Sequence, residues 1–349
     1  MKNWRDSASI ILAANYKNNS VKKLGTNYDF KLLCLKRHKD SSFMPGNYVF
    51  PGGVVEPADA DLKWKNLYKK FGFNDENFLS LFPNNNYNNL SSSSSLSKSR
   101  PIIFKPQSAN ELPREVSLRI TAIRETFEEC GILIAQSNHK NSSHARHFTI
   151  NEKDQVVKWK KKVHSNATEF YELCESLQCY PDLWSLHEWS SWLTPAFLDG
   201  KRFNTIFFTA CLKNIPDAEF DPKEMEDLRW DTPRELIDIS REFKFAPPQQ
   251  YEIYKISKIY QLDNLLKYAM EQNKKGALFN LPIRVKLSDG IIYLLPGDAT
   301  YPEDIHLTEV RDIVKSNLTI QEFHNESTGQ KNRIEFHKGK NTLIKVIDD

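Results

Sequence analysis

The sequence predicts an α/β fold on a mixed sheet, and three observations carry that expectation. Short apolar runs of strand composition stand on both sides of a long amphipathic helical stretch. Glycine- and proline-rich turns separate them. Further helical periodicity follows the last strand of the first two-thirds. The 349 residues are 40% hydrophobic, enough to bury the core of one large domain or two moderate ones. No internal repeat occurs.

Residues 9–14 and 30–37 are rich in Ile, Leu and Val and read as strands. The segment 46–53 holds three glycines and Pro51, so it is a tight loop. Residues 60–112 change character, with an amphipathic patch near 64–71, then Asn84-Asn85-Asn86 and the serine run 91–95. They read as a low-complexity, mobile insertion, with residues 84–98 mobile above all. Helical periodicity returns from Pro113 to Cys130 and stops at Gly131. Residues 132–135 look like a strand, and 156–179 like one long lysine-studded helix. Strands are expected at 189–193, 203–212 and 228–230. Thr232 caps a short helix with Pro233 at its first position. Residues 247–270 read as one helix, and 283–285 with 291–295 as a hairpin around Asp289-Gly290.

Composition excludes several function classes. A net charge of +3, with Lys and Arg spread along the chain, argues against nucleic acid. The five cysteines are odd in number and form no CxxC pair, which argues against a disulfide framework or a zinc site and for a reducing, intracellular compartment. No apolar run reaches the roughly 18 residues of a membrane span, and the apolar stretch 8–14 is too short for a signal peptide. The final Val346-Ile347-Asp348-Asp349 matches no peroxisomal or ER retrieval tripeptide.

The helix at 113–130 carries the chemistry. At 100° per residue, Val116, Ile120, Ile123, Phe127 and Cys130 fall in one stripe about 80° wide, the core face. Glu125, Glu128 and Glu129 lie opposite, at i, i+3 and i+4, so their carboxylates converge. Three like charges destabilise a helix unless a cation neutralises them, and hard oxygen ligands suit Mg²⁺ or Mn²⁺. A solvated acidic face is the ordinary alternative. Against it stand Arg124, which can orient a carboxylate, and the upstream turn Phe50-Pro51-Gly52-Gly53, whose glycines let backbone approach a ligand.

Gly53 followed by Arg124-Glu125-Thr126-Phe127-Glu128-Glu129-Cys130-Gly131-Ile132 resembles the Nudix box, G-x5-E-x7-R-E-U-x-E-E-x-G-U. Only Thr126 departs in its second half. In its first half Asp59 stands where the lone glutamate belongs, and 64 residues rather than seven separate it from Arg124. Glu115 is the other candidate for that place, though about 21 Å of helix divides it from Glu129. The split box, Trp4-Arg5-Asp6-Ser7-Ala8-Ser9-Ile10, Phe43-Met44-Pro45-Gly46, Trp184-Ser185-Leu186-His187-Glu188-Trp189-Ser190-Ser191-Trp192-Leu193-Thr194-Pro195 and Leu294-Leu295-Pro296-Gly297-Asp298 together resemble the branch called nucleoside diphosphate-linked moiety X motif 19, over about residues 4–300. Members of that branch act as coenzyme A diphosphatases, releasing 3′,5′-ADP and 4′-phosphopantetheine.

The resemblance implies a Nudix α/β/α sandwich at residues 4–243, with the insertion at about 60–112, and a mostly helical C-terminal extension at 244–349. It implies Mg²⁺ or Mn²⁺ held by Glu125, Glu128 and Glu129, with the Gly53 carbonyl completing the shell and Arg124 orienting a glutamate. Glu224 and Glu226 are candidates for the general base. Arg37, Gly46, Phe50 and Gly52 fit a coenzyme A signature, although Ser42 stands where its arginine belongs; Lys36, Arg37, His38 or Lys39 would compensate. Arg202, Thr205 and Phe207 are expected to face the substrate, with Phe203 and Phe208 in the core. Trp189 and Trp192 are the candidates to stack on an adenine ring, with core packing expected for at least one of them. ADP-ribose or a dinucleotide is the alternative substrate, and a non-catalytic binding protein the alternative role. The resemblance points to peroxisomes, whereas the missing tripeptide leaves cytosol or mitochondria open.

Overall fold

A computed structural model describes residues 4–16, 28–83, 100–106, 108–138, 144–198, 200–239, 244–338 and 344–348. The expectation of a mobile stretch at 84–98 falls outside them. In chain order the elements are β1 (Arg5–Asn15), β2 (Phe30–Arg37), β3 (Tyr48–Val49), β4 (Gly52–Val54), α1 (Lys63–Lys70), α2 (Asp75–Leu79), α3 (Arg114–Cys130), β5 (Ala135–Gln136), α4 (Lys153–Ser165), α5 (Glu169–Ser176), β6 (Tyr180–Pro181), β7 (His187–Leu193), β8 (Phe203–Leu212) and β9 (Met225–Asp231). Then come α6 (Pro233–Ile239), α7 (Pro247–Ile256), α8 (Leu262–Lys275), β10 (Leu278–Asn280), β11 (Ile283–Leu287), β12 (Gly290–Leu294), β13 (Asp312–Lys315), α9 (Ile320–Glu326), β14 (Asn332–His337) and β15 (Ile344–Asp348).

The main sheet is mixed and runs β10-β7-β8-β1-β2-β3, with β4 also on β1 and β9 also on β2. β1 lies parallel to β8 over its length, from Arg5↔Phe203 to Ala14↔Leu212. On its other edge β1 pairs with β4 at Ser7–Ser9 and with β2 at Ala13–Asn15, both antiparallel. That split edge delivers the Gly52-Gly53 backbone to the middle of β1. Alternation along β1 builds two cores. Ala8, Ile10, Leu12 and Ala14 join Val116, Ile120, Ile123, Phe127 and Cys130 of α3. Ile11 and Ala13 join Tyr251, Ile253, Leu265 and Leu266 of α7 and α8. The result is helix, sheet, helix, as the α/β/α expectation requires. The five cysteines are free and buried, and no helix among the described residues is long and apolar enough to cross a membrane.

Four expectations are corrected. The helix expected over 156–179 is two, α4 and α5, broken at Asn166, whose extended backbone (φ −155°, ψ 111°) ends the first. The one expected over 247–270 is also two, α7 and α8, and Asp29 caps the restart by accepting the Leu262 N–H at 2.7 Å. The C-terminal extension is mostly helical only in its first part. After α8 it forms a five-stranded sheet, β13-β11-β12-β14-β15, in which β11 and β12 are the expected hairpin. The insertion's first arm is packed: Trp64, Leu67, Tyr68, Phe73 and Phe78 are buried in the α3 core, and the Phe73 ring stacks on Trp184 at 4.5 Å.

Candidate active site

Helix α3 is buried on nearly all sides, so its acidic face is no solvated surface. Pro113 stands before its first turn, and Gly131, at φ +74°, closes it in the left-handed conformation that favours glycine. β4 is clamped between this helix and β1. A Cβ at Gly52 would lie 2.4 Å from the Ala8 carbonyl oxygen, so that position has no room for a side chain, and one at Gly53 would lie 2.4 Å from the Glu125 carboxyl and push it aside. The Gly52 N–H donates to Glu129 Oε2 at 2.9 Å.

Arg124 organises the remaining acids. Its Nε and Nη2 donate to the two oxygens of Asp59 at 2.8 and 2.9 Å. Its Nη1 donates to Glu125 at 3.0 Å and Glu128 at 2.5 Å, and Nη2 also reaches the Val54 carbonyl. Thr121 Oγ1 and the Glu56 N–H donate to the same Asp59 carboxylate at 2.8 and 3.0 Å. Glu115 is elsewhere: it pairs with Arg100 at 3.1 Å, beside Glu188. Of the two candidates for the box's lone acid, therefore, Asp59 meets Arg124 and Glu115 does not. Burial pulls the Arg124 pKa down, but Asp59 and Glu125 more than reverse it, holding the guanidinium firmly charged.

One cation cannot neutralise four carboxylates. Burial, with Glu128 and Asp59 adding and Arg124 opposing, raises the Glu125 pKa to about 8. Burial also raises Glu128, against the pull of Arg124. Burial and then Glu125 raise Glu129 well above the carboxylate range. Among the described residues no three His, Cys, Asp or Glu side chains already stand as a finished ligand cage. Arg124 draws Glu125 and Glu128 to itself, and Gly52 holds Glu129. The donor set fits a hard divalent cation nonetheless: three crowded carboxylates short of positive charge, with a glycine backbone pressed against one of them.

The sequence model described as the NUDT19 Nudix domain matches residues 4–256, and that of the NUDT19 C-terminal domain matches 284–346. The chain belongs to the NUDT19 family of Nudix hydrolases. It is 32% identical to the acyl-coenzyme A diphosphatase NUDT19 of Xenopus laevis, over 99% of this chain and 93% of that protein. To its Homo sapiens counterpart it is 33% identical, over 88% and 82%. Among solved structures, a Nudix hydrolase of Alicyclobacillus acidocaldarius superposes with a TM-score of 0.52 at 17% identity, covering 76% of this chain and 97% of that one, which shows the shared fold.

In this NUDT19-family chain the carboxylates border a cavity of about 930 Å³, lined also by Arg37, Phe50, Gly52, Gly53, Trp192, Thr205, Phe207 and Glu224. Three expected site residues are not in its wall. Gly46 makes the preceding turn at φ +67°. Arg202 donates instead to the carbonyls of Thr194 and Leu307 at 2.8 and 2.7 Å. The two-residue period of β8 puts Phe203, not Arg202, beside Thr205 and Phe207, so Phe203 lines the cavity and only Phe208 is core. Glu226 is tied to Lys36 at 3.1 Å and to the Lys39 N–H at 2.9 Å. Trp192 lines the cavity, whereas Trp189 packs against Tyr268 at 5.4 Å.

Sequence reasoning missed His164, which sits in the last turn of α4, with Nδ1 3.7 Å from Glu128 Oε2 and 3.6 Å from Glu224 Oε1. The run Ser165-Asn166-Ala167-Thr168 was the available signal, since Asn and Thr favour caps and turns over helix interiors. It also missed Lys201, whose Nζ donates to Ser42 Oγ at 3.0 Å. A cation thus reaches the position where the coenzyme A signature has its arginine. Lys36, one expected substitute, is occupied by Glu226.

Proposed function

We propose that this chain hydrolyses the phosphoanhydride of coenzyme A or its acyl esters, releasing 3′,5′-ADP and 4′-phosphopantetheine or its acyl form, with Mg²⁺ or Mn²⁺ as cofactor. The observation that carries the reading is the group Glu125, Glu128 and Glu129, fixed by Arg124-Asp59 and Gly52 at the wall of one large cavity. A bound divalent cation supplies charge neutralisation of the diphosphate and a more acidic water. Glu125, Glu128 and Glu129 would hold it, and the Gly53 Cα, packed against the Glu125 carboxyl, brings its backbone beside them. Arg124 sets the direction of two of these carboxylates through one nitrogen. Glu224 is the candidate to accept the water's proton, and His164 lies within 3.6 Å of it. Arg37 lines the same cavity and its buried Nε has no hydrogen-bond partner among the described residues, so it is available to an anionic oxygen. Lys201 adds a second cation beside Ser42. Both suit a substrate bearing several phosphates.

The relatives named acyl-coenzyme A diphosphatase support coenzyme A over ADP-ribose or a dinucleotide. The test is a product assay with Mg²⁺ across coenzyme A, acyl-coenzyme A, ADP-ribose, NADH and diadenosine polyphosphates. Coenzyme A or its esters should have the highest kcat/KM. A tenfold preference for ADP-ribose or a dinucleotide overturns the substrate, and no turnover of any of them overturns catalysis.

A further inference from the structure

The cavity exceeds what a diphosphate requires, and part of its wall comes from beyond residue 244. Tyr293 of β12 and Phe336 of β14 line it together with Pro282 and Gln249, as do Phe197 and Leu198 from the loop after β7. The Phe197 and Tyr293 rings stack at 5.7 Å with an interplanar angle of 2°. Phe336 meets Tyr293 edge-on at 5.1 Å. Arg284 lies 4.0 Å over Phe197, but both arms of its fork donate to Asp312, at 2.8 and 2.6 Å, so its charge is answered within the sheet. This wall is firmly seated. Leu295, next to β12, and Ile334 of β14 share a core with Trp192, Phe207 and Ala13 of the main sheet.

Gln249 adds a buried amide to this wall. Gln249 is only 8% exposed, and its buried side-chain oxygen has no hydrogen-bond partner among the described residues. A buried amide oxygen at a cavity wall with no partner among the described residues is completed by a group that carries an N–H or O–H.

We propose that this slot receives the acyl-pantetheine arm of the substrate: the Gln249 amide pairs with an amide of the arm, and Phe197, Tyr293 and Phe336 take the acyl chain. The proposal rests on the coenzyme A reading above. The arm's chemistry has the same composition as the slot, amide groups followed by hydrocarbon. A nucleobase fits less well, because Phe197 and Tyr293 already cover each other's faces. A phosphate fits less well, because Arg284 is already paired. The C-terminal sheet is then part of the substrate site and sets preference among acyl esters.

The experiment measures kcat/KM for free coenzyme A and a series of straight-chain acyl esters in the full-length wild type, Tyr293→Ala, Phe336→Ala, Leu198→Trp and Gln249→Leu. For Tyr293→Ala and Phe336→Ala, the ratio of long-chain ester to free coenzyme A should fall about tenfold, the size of a lost hydrophobic pocket contact. Leu198 is 38% exposed, so Leu198→Trp crowds the slot without opening the core and should lower the same ratio even if an alanine variant unfolds. Gln249→Leu should raise KM for coenzyme A and its esters alike and leave any ADP-ribose turnover unaltered, since ADP-ribose has no such arm. An unchanged ratio in Tyr293→Ala, Phe336→Ala and Leu198→Trp overturns the acyl assignment while wild-type coenzyme A turnover stands. Absence of that turnover in the wild type instead overturns the substrate reading itself.

Discussion

Asp59→Asn is the sharpest perturbation of the site's framework. The Asp59 carboxylate is 1% exposed and receives two hydrogen bonds from Arg124, at 2.8 and 2.9 Å, with two more from Thr121 and Glu56. Hydrogen bonds to charged groups contribute roughly 1.5–3 kcal/mol each. Asparagine keeps one acceptor oxygen, so about one of the two Arg124 bonds is lost, and the buried guanidinium retains Glu125, Glu128 and the Val54 carbonyl. The expected cost is therefore ~2–3 kcal/mol, below the 3–5 kcal/mol of a fully orphaned buried charge. At about 2–4 °C per kcal/mol, Tm should fall by ~4–12 °C. Turnover should fall about tenfold, because Arg124 loses the clamp from which it aims Glu125 and Glu128. Glu115→Gln is the control: it loosens Arg100, which keeps both oxygens of Glu188, and should leave the Mg²⁺ dependence of turnover unaltered. Thermal melts and Mg²⁺ titrations of the two variants decide the matter. Wild-type stability and turnover in Asp59→Asn, with the Mg²⁺ response lost in Glu115→Gln, would refute the reasoning.

Two further outcomes follow from the charge balance. Burial leads in raising the pKa of Glu125, to about 8 from an ordinary 4.5, and raises Glu128 and Glu129 as well. Over that window the metal-free fold binds more protons than the unfolded chain, so their contribution to stability is present below it and lost as pH rises through it. Mg²⁺ needs the ionised acids, so the Tm gained on adding it should be larger at about pH 8.5 than at about pH 6, measured by differential scanning fluorimetry; equal gains contradict the charge account. Lys201→Met should raise KM for coenzyme A about three- to tenfold, as expected for one exposed charge-assisted contact, and adding Ser42→Arg should restore it. An unaltered KM in Lys201→Met removes that residue from substrate recognition.

Legibility of the sequence tracked how local each determinant is. α3 could be bounded because Pro113 and Gly131 flank it, and β8 because apolar residues run from Phe203 to Leu212. The i, i+3, i+4 spacing made Glu125, Glu128 and Glu129 readable as one patch. Asp59 joins that patch only across a 64-residue gap, which no local pattern closes. The choice between Glu224 and Glu226 was hidden for a related reason. It depends on where β9 lies on β2, and a register shift between Lys36 and Arg37 alters that pairing. The breaks after α4 and α7 are local but weak signals, easily overridden by the apolar periodicity around them. The C-terminal sheet is built of strands of four to six residues. Their pairing, including parallel β11 with β13, is set by distant partners.

The central claim is that the α3 carboxylates perform metal-assisted diphosphate hydrolysis, and turnover of coenzyme A by Glu129→Gln at saturating Mg²⁺ tests it most directly. Glutamine preserves size and an acceptor for the Gly52 N–H while removing one charge from the crowded patch. The fold should persist, with Tm equal to or above that of the metal-free wild type, and kcat should fall at least ~10²-fold, a loss of about 2.7 kcal/mol of transition-state stabilisation. A folded Glu129→Gln protein that releases 3′,5′-ADP at nearly the wild-type rate would contradict the account.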